Sequence, residues 1–380
     1  MGLPMATLLA RRGVRLCVYD PLKPRAVQYV TQFGAVPACS VEDLGCKLRE
    51  SIFSSNPELR ARGTEARRQQ DDAKTRMQAS DPLRERRHPF LAMSSEFPHP
   101  VALQNEAHPG ETNEGATPTL ARQSGGERSP FGLVVCMLPT GRHVGEVLFS
   151  KHGLLDALDG HACAKNVEAP GTCRALVIDC STIGPLQAAE VAAGAERRGH
   201  HFVDAPVSGG VPAATAGTLT FMVGGSRNDV AIASPLLRLM GSRVVHCGEA
   251  VGTGQAFKVC NNLILAASML GVAEAFRLGE ALGVDLKLLN DVVNASSGRC
   301  WSAEQYNPAP GIVDGAPASR AYAGGFSVDL IVKDLVLCRD AFEAHPLTCP
   351  VTDAALTMFR SMSDKGHGHL DIGCAFRHNT

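Results

Sequence analysis

Short apolar runs separated by helix-forming segments mark the middle of the chain. Each run ends at a polar or turn-forming residue, as the strands of a parallel sheet do. The runs are residues 133–138, 175–178, 201–203, 221–223 and 244–246. Helical segments lie between most of them, for example residues 185–198 and 230–240. The alternation predicts a doubly wound α/β sheet, in which the continuous run 133–138 is a fully buried strand.

The first forty residues predict a helix, a strand and a second helix. Residues 5–12 are strong helix formers that end at Gly13. Residues 14–19 form an apolar run that ends at Asp20, which indicates a buried strand followed by a turn. A helix therefore opens the chain with no strand before it.

Residues 47–128 differ in character from both flanks. Charges of both signs alternate with Gln, Ser, Pro and Gly, without apolar periodicity. We interpret this stretch as a long solvated insertion, largely disordered. A basic docking site around Arg84, Arg86 and Arg87 is the alternative, but the interleaved acidic residues favour a solvated charge run.

After Gly248 the pattern is helical only. Residues 254–282 are apolar nearly all round, so we expect this long helix to be buried on several faces. Asp285 can begin the next helix, and residues 330–344 and 351–363 continue the helical pattern. The sequence therefore predicts two domains, an α/β domain over residues 1–248 and an all-helical domain over residues 249–380.

Composition excludes several classes of protein. The 380 residues carry 37 Lys and Arg against 38 Asp and Glu, so the formal charge of -1 predicts no nucleic-acid or anionic membrane partner. The 13 cysteines include no CxxC pair, so we expect neither a disulfide framework nor a metal site. No apolar run reaches the roughly 18 residues that span a bilayer, and no leader is visible after Met1.

Gly2 and Asp20 suggest part of a dinucleotide site. In a GxGxxG turn, the third glycine opens the first helix, where bare backbone approaches a pyrophosphate. Gly2 fits that position, so the first strand and first two glycines are expected before residue 1. Asp20, at the end of the next strand, can accept both ribose hydroxyls and would repel a 2′-phosphate, which favours NAD over NADP. An ordinary turn aspartate is the alternative.

Several segments together resemble the β-hydroxyacid dehydrogenase family. They are residues 1–6 (MGLPMA), 179–182 (DCST), 204–210 (DAPVSGG) and 252–262 (GTGQAFKVCNN). Segments 296–301, 306–308, 333–335 and 371–376 resemble the 3-hydroxyisobutyrate dehydrogenases of that family. The resemblance covers residues 1–45 and 130–380. It implies a Rossmann-type domain followed by an all-α domain, with NAD-dependent oxidation of 3-hydroxyisobutyrate to methylmalonate semialdehyde in mitochondrial valine breakdown.

Lys258 and Asn262 are the catalytic residues that the resemblance implies. Oxidising an alcohol requires a group that takes the hydroxyl proton, and a lysine can do so once its pKa is lowered. Lys258 lies near the start of an apolar helix, and Asn262 is four residues on, on the same face. The resemblance makes Lys258 the general acid/base and Asn262 its orienting partner. The alternative is that Lys258 reaches solvent in an interdomain salt bridge.

Further binding residues lie at the carboxyl ends of the predicted strands. Small residues after a strand can offer a hydroxyl and backbone N–H groups to a carboxylate, although a tight turn is the alternative for the run at residues 208–210. For the substrate, the expected residues are Ser181, Ser208, Gly209 and Gly210. For the cofactor, they are Gly2, Asp20, Leu138, Pro139, Thr182 and Lys333. The alternative for Lys333 is an ordinary helical lysine without a role in the site.

Three other residues are further candidates for contacts. The resemblance places His143 at a cofactor-contact position that commonly carries asparagine. Arg299 and Trp301 are candidates for the substrate end, although a lone tryptophan is more often part of a core.

Two alternatives to the main hypothesis remain open. One is a related reductase of glyoxylate, succinic semialdehyde or tartronate semialdehyde, although the first two prefer NADP. The other is a catalytically impaired, truncated form that binds NAD poorly. The apolar long helix suggests a homodimer or homotetramer.

Overall fold

The computed structural model describes residues 1–12, 14, 17–18, 36–37, 43–44, 47, 132–159 and 174–378. The chain divides into two units, and all described residues belong to the unit formed by Met1–Thr64 and Ser129–Thr380. Asp20 lies outside the described residues, as does nearly all of the predicted insertion at 47–128.

The α/β part begins with helix α1 (Gly2–Arg11) and two short parallel strands, β1 (Cys17–Val18) and β2 (Val36–Pro37). A six-stranded sheet follows, with its helices between the strands. Its elements in chain order are β3 (Gly132–Cys136), α2 (Gly141–Phe149), α3 (Leu154–Leu158), β4 (Ala175–Asp179), α4 (Pro185–Glu196), β5 (His201–Asp204), β6 (Val207–Ser208), α5 (Gly210–Ala216), β7 (Leu219–Gly224), α6 (Arg227–Arg238) and β8 (Gly241–Gly248).

Strands β3, β4 and β5 are parallel neighbours, which places their carboxyl ends at one edge of the sheet. The next neighbour, β7, runs antiparallel to β5 and to β6, and β8 pairs in parallel with β7. Two helical layers cover the sheet. Helices α1 and α6 pack with Leu176 and Ile178 on one face, and helices α2 to α4 pack with Val177 on the other. The predicted doubly wound fold is confirmed.

The expectation that strand 133–138 is fully buried is wrong. In β3, Leu133 and Val135 are 38% and 36% exposed, while their neighbours are buried. The reason is position, because β3 is the edge strand of the six-stranded sheet and one of its faces lines a cleft.

The remainder of the chain is helical, as predicted. It contains α7 (Thr253–Ala281), α8 (Leu286–Asn294), α9 (Trp301–Glu304), a 3₁₀ turn (Pro317–Arg320), α10 (Val328–Glu343), α11 (Pro350–Met362), a π turn (Ser363–His367) and a second 3₁₀ turn (Ile372–Arg377). Helices α7, α10 and α11 share one apolar core, which includes Met269, Phe276, Leu335 and Phe359. The boundary at residues 248/249 stays a prediction.

Helix α7 joins the two regions. It contacts β5, β7 and β8 on one side and α10 and α11 on the other. Among the described residues it is the one helix long and apolar enough, with mean hydropathy 1.5, to cross a membrane. The expectation of burial on several faces holds only in part. Phe257, Ile264 and Leu278 form an exposed row, and Ile264 is 69% exposed.

Candidate active site

A cleft of about 2120 Å³ lies between the carboxyl edge of the sheet and the helical region. Its volume exceeds the roughly 300–1,000 Å³ of an ordinary small-molecule site, so a dinucleotide and a small acid fit together. Most of the residues predicted from the sequence line it. These are Gly2, Leu138, Pro139, Thr182, Ser208, Gly209, Gly210, Lys258, Asn262 and Lys333.

Lys258 lies in the second turn of α7 and is only 8% exposed. Its amino group forms no hydrogen bond within the part of the chain that the structure describes, although it faces the cleft. Burial lowers the pKa of Lys258, Asp334 opposes this shift, and Lys333 adds to it. The result is a buried amine that loses its proton more easily than an ordinary lysine, and that has its lone pair and protons available to a ligand.

Asp334 organises the polar groups beside Lys258. This buried carboxylate on α10 accepts a hydrogen bond of 2.6 Å from Asn262 Nδ2 and forms an ion pair of 2.9 Å with Lys333 Nζ. Lys333 Nζ in turn donates to the backbone oxygen of Thr182 at 2.6 Å. The reading of Lys333 as a plain helical lysine therefore fails, because its ammonium connects α10 to the end of β4.

Ser181 does not reach the cleft, contrary to expectation. It is fully buried, its Oγ accepts a hydrogen bond of 2.9 Å from the Leu138 N–H, and its own N–H donates to Asp179 Oδ1. The hydroxyl therefore holds the Leu138–Pro139 segment in place and is unavailable to substrate. Thr182, the next residue, is the one that faces the cleft.

Asp179 and Asp204 lie side by side at the carboxyl ends of the adjacent strands β4 and β5. Both are fully buried, and burial raises the pKa of Asp179 to about 7 and also raises that of Asp204. Asp204 accepts hydrogen bonds from the N–H groups of Gly252 (2.8 Å) and Gln255 (2.7 Å). It therefore caps the first turn of α7, the helix that carries Lys258.

The Ser208–Gly210 segment joins β6 to α5 at the wall of the cleft. Gly209 has φ 124° and Gly210 has φ 67°, which L side chains rarely adopt. A Cβ at Gly209 would also collide with Ala213. Glycine is thus required here by the backbone itself. Gly2 differs, because a Cβ there would make only an ordinary contact with Met137.

An aromatic pair closes another part of the cleft. Trp301 is 52% exposed and stacks on Tyr306 with ring centroids 4.7 Å apart. Tyr306 donates a hydrogen bond of 2.7 Å to the buried Asp371. The alternative that Trp301 is a core residue is therefore wrong. Arg299 pairs instead with Glu304 at the surface.

The sequence predicted no role for three residues near the site, and it predicted one cofactor contact, His143, that lies outside the cleft. Asp204, Gln255 and Asp334 were not assigned roles, although Asp204 and Asp334 lie within the motifs and Gln255 is three residues before Lys258. His143 bonds to Thr140 Oγ1 and does not line the cleft. The described residues contain no cluster of three or more His, Cys, Asp or Glu that could hold a metal ion.

Two family models match the chain. Residues 102–248 match the NAD binding domain of 6-phosphogluconate dehydrogenase, and residues 252–378 match the NAD-binding model of NADP-dependent 3-hydroxyisobutyrate dehydrogenase. The two matches meet just before α7, where the sheet gives way to helices. Together with the cleft, they define a Rossmann-type, nicotinamide-dependent oxidoreductase.

Individual relatives are also dehydrogenases. The mitochondrial 3-hydroxyisobutyrate dehydrogenase of Bos taurus is 46% identical over 244 residues, which are 64% of this chain and 68% of the relative. The NAD-dependent L-serine dehydrogenase of Pseudomonas aeruginosa is 43% identical over 240 residues, 63% of this chain and 76% of the relative. The Mycobacterium tuberculosis 3-hydroxyisobutyrate dehydrogenase structure with L-serine has a TM-score of 0.67 at 28% identity, covering 99% of this chain and 94% of that one. The chain belongs to the β-hydroxyacid dehydrogenase family, and NAD is its cofactor.

The residues of the cleft fit that cofactor. Leu138 and Pro139 offer an apolar wall at the carboxyl end of β3, where α/β folds bind nucleotides. Thr182 follows the neighbouring strand β4, and the Lys333 ammonium reaches its backbone oxygen from α10. Lys258 supplies an amine that has no hydrogen-bond partner among the described residues. The chain is therefore an NAD-dependent oxidoreductase by family and by the chemistry of its cleft.

Proposed function

We propose that this chain oxidises 3-hydroxyisobutyrate to methylmalonate semialdehyde, with Lys258 as the general acid/base. The observation that carries the proposal is the amino group of Lys258, which is buried, unpartnered among the described residues and open to the cleft. The relatives named mitochondrial 3-hydroxyisobutyrate dehydrogenase support this choice of substrate.

The proton and the hydride leave the alcohol by separate routes. Lys258 in its neutral form accepts the proton from the hydroxyl oxygen as the carbonyl forms. The chemistry that bound NAD would supply is that of a hydride acceptor for the carbinol carbon. The O–H and C–H bonds of the alcohol break and its C–O bond becomes double; the proton ends as an N–H on Lys258, and the hydride would end on NAD. Asn262, fixed by Asp334, is placed to orient the substrate oxygen.

The substrate carboxylate is assigned to the Ser208–Gly210 segment. The Ser208 hydroxyl and the backbone of Gly209 and Gly210 line the cleft, and small residues let a carboxylate approach the backbone closely. Ser181 is reassigned from substrate binding to positioning, because its hydroxyl already binds the Leu138 N–H.

The cofactor contacts are assigned to six residues. Leu138, Pro139 and Thr182 would contact the reacting end of NAD, Lys333 would add positive charge beside it, and Gly2, at the start of α1, would contact the pyrophosphate. Asp20 is assigned to the ribose hydroxyls. This last assignment rests on the sequence and sets the preference for NAD over NADP.

L-serine is the second candidate substrate. It is a β-hydroxy acid too, and it is supported by the L-serine dehydrogenase relative and by the structure that contains L-serine. The test is the rate of NAD reduction by purified protein with 3-hydroxyisobutyrate and L-serine, and of NADH or NADPH oxidation with glyoxylate, succinic semialdehyde and tartronate semialdehyde. The proposal expects the highest kcat/KM with 3-hydroxyisobutyrate. A higher value with another acid reassigns the substrate, and no turnover with any of them supports an impaired form.

A homodimer or homotetramer and a mitochondrial location complete the proposal. The exposed apolar side chains Phe257 and Leu278 on α7 support self-association, whereas Ile264 of the same row lines the cleft. The names of the mitochondrial relatives support the location. Light scattering of the purified protein and fractionation of the source cells test the two assignments, and a monomer or a cytosolic pool contradicts them.

A further inference from the structure

We propose that Gln255 is a positioning residue for the reaction, because it holds the turn at residues 181–183 against the helix that carries Lys258. The inference rests on the proposed function, since it concerns the geometry in which Lys258 acts. Gln255 is fully buried and does not line the cleft, so it acts through other residues.

The amide of Gln255 makes two hydrogen bonds to the turn. Its Nε2 donates to the backbone oxygen of Ser181 at 2.8 Å, and its Oε1 accepts from the N–H of Ile183 at 3.1 Å. Thr182 lies between these two anchored residues and faces the cleft. One side chain thus fixes the backbone on both sides of a cofactor-contact residue.

A second side chain completes the attachment. Lys333 Nζ donates to the backbone oxygen of Thr182 at 2.6 Å. Three successive residues of the turn are therefore held by side chains of α7 and α10. The turn cannot shift relative to these helices without breaking the two buried hydrogen bonds of Gln255 and the partly buried one of Lys333.

The backbone of Gln255 also helps to position the first turn of α7, which precedes Lys258. Its backbone N–H donates to Asp204 Oδ2 at 2.7 Å, which ties the first turn of α7 to the end of β5. Lys258 is three residues further along the helix, on the same side. The bond to Asp204 comes from the backbone and does not depend on the side chain at 255, so the specific contribution of Gln255 is its pair of side-chain hydrogen bonds between α7 and the Thr182 turn. A misplacement of about 1 Å in a reacting geometry can cost roughly 100-fold in rate.

The first experiment compares Gln255→Met with Met269→Ala. The first variant keeps the length of the side chain and removes both hydrogen bonds. The second opens a cavity in the core on the same helix, away from the cleft, and so controls for lost stability. We expect Gln255→Met to lower kcat by about tenfold or more. The primary deuterium isotope effect on kcat should rise. Met269→Ala should lower the thermal midpoint with kcat and isotope effect unchanged.

A second variant tests rescue. In Gln255→Glu, the protonated side chain can again donate to the Ser181 oxygen and accept from the Ile183 N–H, whereas the ionised form cannot donate. The ratio of its kcat to that of the wild type should therefore rise as pH falls. A flat ratio would count against the hydrogen bond from Nε2 as the important contact.

Hydrogen–deuterium exchange supplies a readout that needs no turnover. The amide of Ile183 should exchange faster in Gln255→Met than in the wild type or Met269→Ala, because its acceptor is lost. Unchanged exchange, or a kcat no lower than that of Met269→Ala, overturns the role of Gln255. A wild type without turnover on any β-hydroxy acid overturns the proposed function instead, and the two failures are thus distinguishable.

Discussion

Asn262 Nδ2 donates a hydrogen bond of 2.6 Å to Asp334 Oδ2, across 72 residues of sequence, and this bond joins α7 to α10 beside Lys258. The same carboxylate contacts Lys333, whose ammonium reaches the backbone of Thr182. Asn262, which we propose orients the substrate oxygen, and Lys333, whose charge lowers the pKa of Lys258, are therefore connected through one aspartate. Its replacement should change the protonation of Lys258 as well as its surroundings.

Asp334→Asn should move the pH profile. The Asp334 carboxylate raises the pKa of Lys258 against the effect of burial, so its removal lowers that pKa further. Lys258 must be neutral to accept a proton, so the acidic limb of kcat/KM for oxidation should shift to lower pH. The asparagine keeps an oxygen that can accept from Asn262. Initial rates measured across the pH range at saturating NAD would show the shift.

Lys333→Met is the control, because it should shift the pH profile in the opposite direction. The Lys333 charge lowers the pKa of Lys258, so its loss should move the same limb to higher pH. If both variants moved the limb in one direction, the electrostatic account of Lys258 would be wrong.

Lys258→Met should separate activity from stability. Without the base, kcat for oxidation should fall by about 10²–10⁴-fold. Stability should rise at neutral pH, because the lowered pKa means that the folded state disfavours the ammonium that the unfolded state holds freely. This penalty is complete below the folded pKa and vanishes as pH rises through the ordinary value of 10.5. Urea unfolding of both proteins at neutral and high pH measures the difference, which should shrink with pH. A variant less stable than the wild type at neutral pH would contradict it.

Asp204→Ala should destabilise the fold through α7. The change leaves the buried N–H groups of Gly252 and Gln255 without acceptors, at a cost of about 1–3 kcal/mol for each unsatisfied group. Asp285→Ala is the matched control, because Asp285 caps the exposed start of α8 and such caps contribute about 1 kcal/mol. Chemical denaturation compares them. Equal losses of unfolding free energy in the two variants would show that the Asp204 cap contributes no more than an exposed cap.

Asp20→Ser should relax the choice of cofactor. A carboxylate at the ribose repels a 2′-phosphate, and like charges placed together cost several kcal/mol. The ratio of kcat/KM with NADP to that with NAD should rise by about tenfold or more in the variant. An unchanged ratio would mean that Asp20 is an ordinary turn residue.

Local patterns were sufficient to predict much of the fold. Apolar runs located β4, β5, β7 and β8 to within a few residues, because a buried strand needs consecutive apolar side chains. The direction of β7 was not predictable, because the same apolar run serves a parallel or an antiparallel strand. Exposure of Leu133 and Val135 was also missed, since an edge strand can have the composition of a central one.

The site was predictable where spacing alone brings residues together. Lys258 and Asn262 are four residues apart on one helix, so they share a face wherever the helix lies. Asp334 was harder to assign because its contact with Asn262 depends on how α10 packs on α7. Ser181 and Thr182 are adjacent, and the burial of Ser181 and its hydrogen bond from Leu138, neither of which the sequence reveals, show which of them points inward.

The central claim is that Lys258 is the base of an NAD-linked oxidation of a small β-hydroxy acid. The most direct measurement is the appearance of reduced NAD, from 3-hydroxyisobutyrate and from L-serine, with the wild type and with Lys258→Met at equal concentrations of folded protein. The account predicts NAD-dependent turnover by the wild type, greatest with 3-hydroxyisobutyrate, and a loss of about 10²-fold or more in the variant. Equal turnover by the two proteins would contradict the claim.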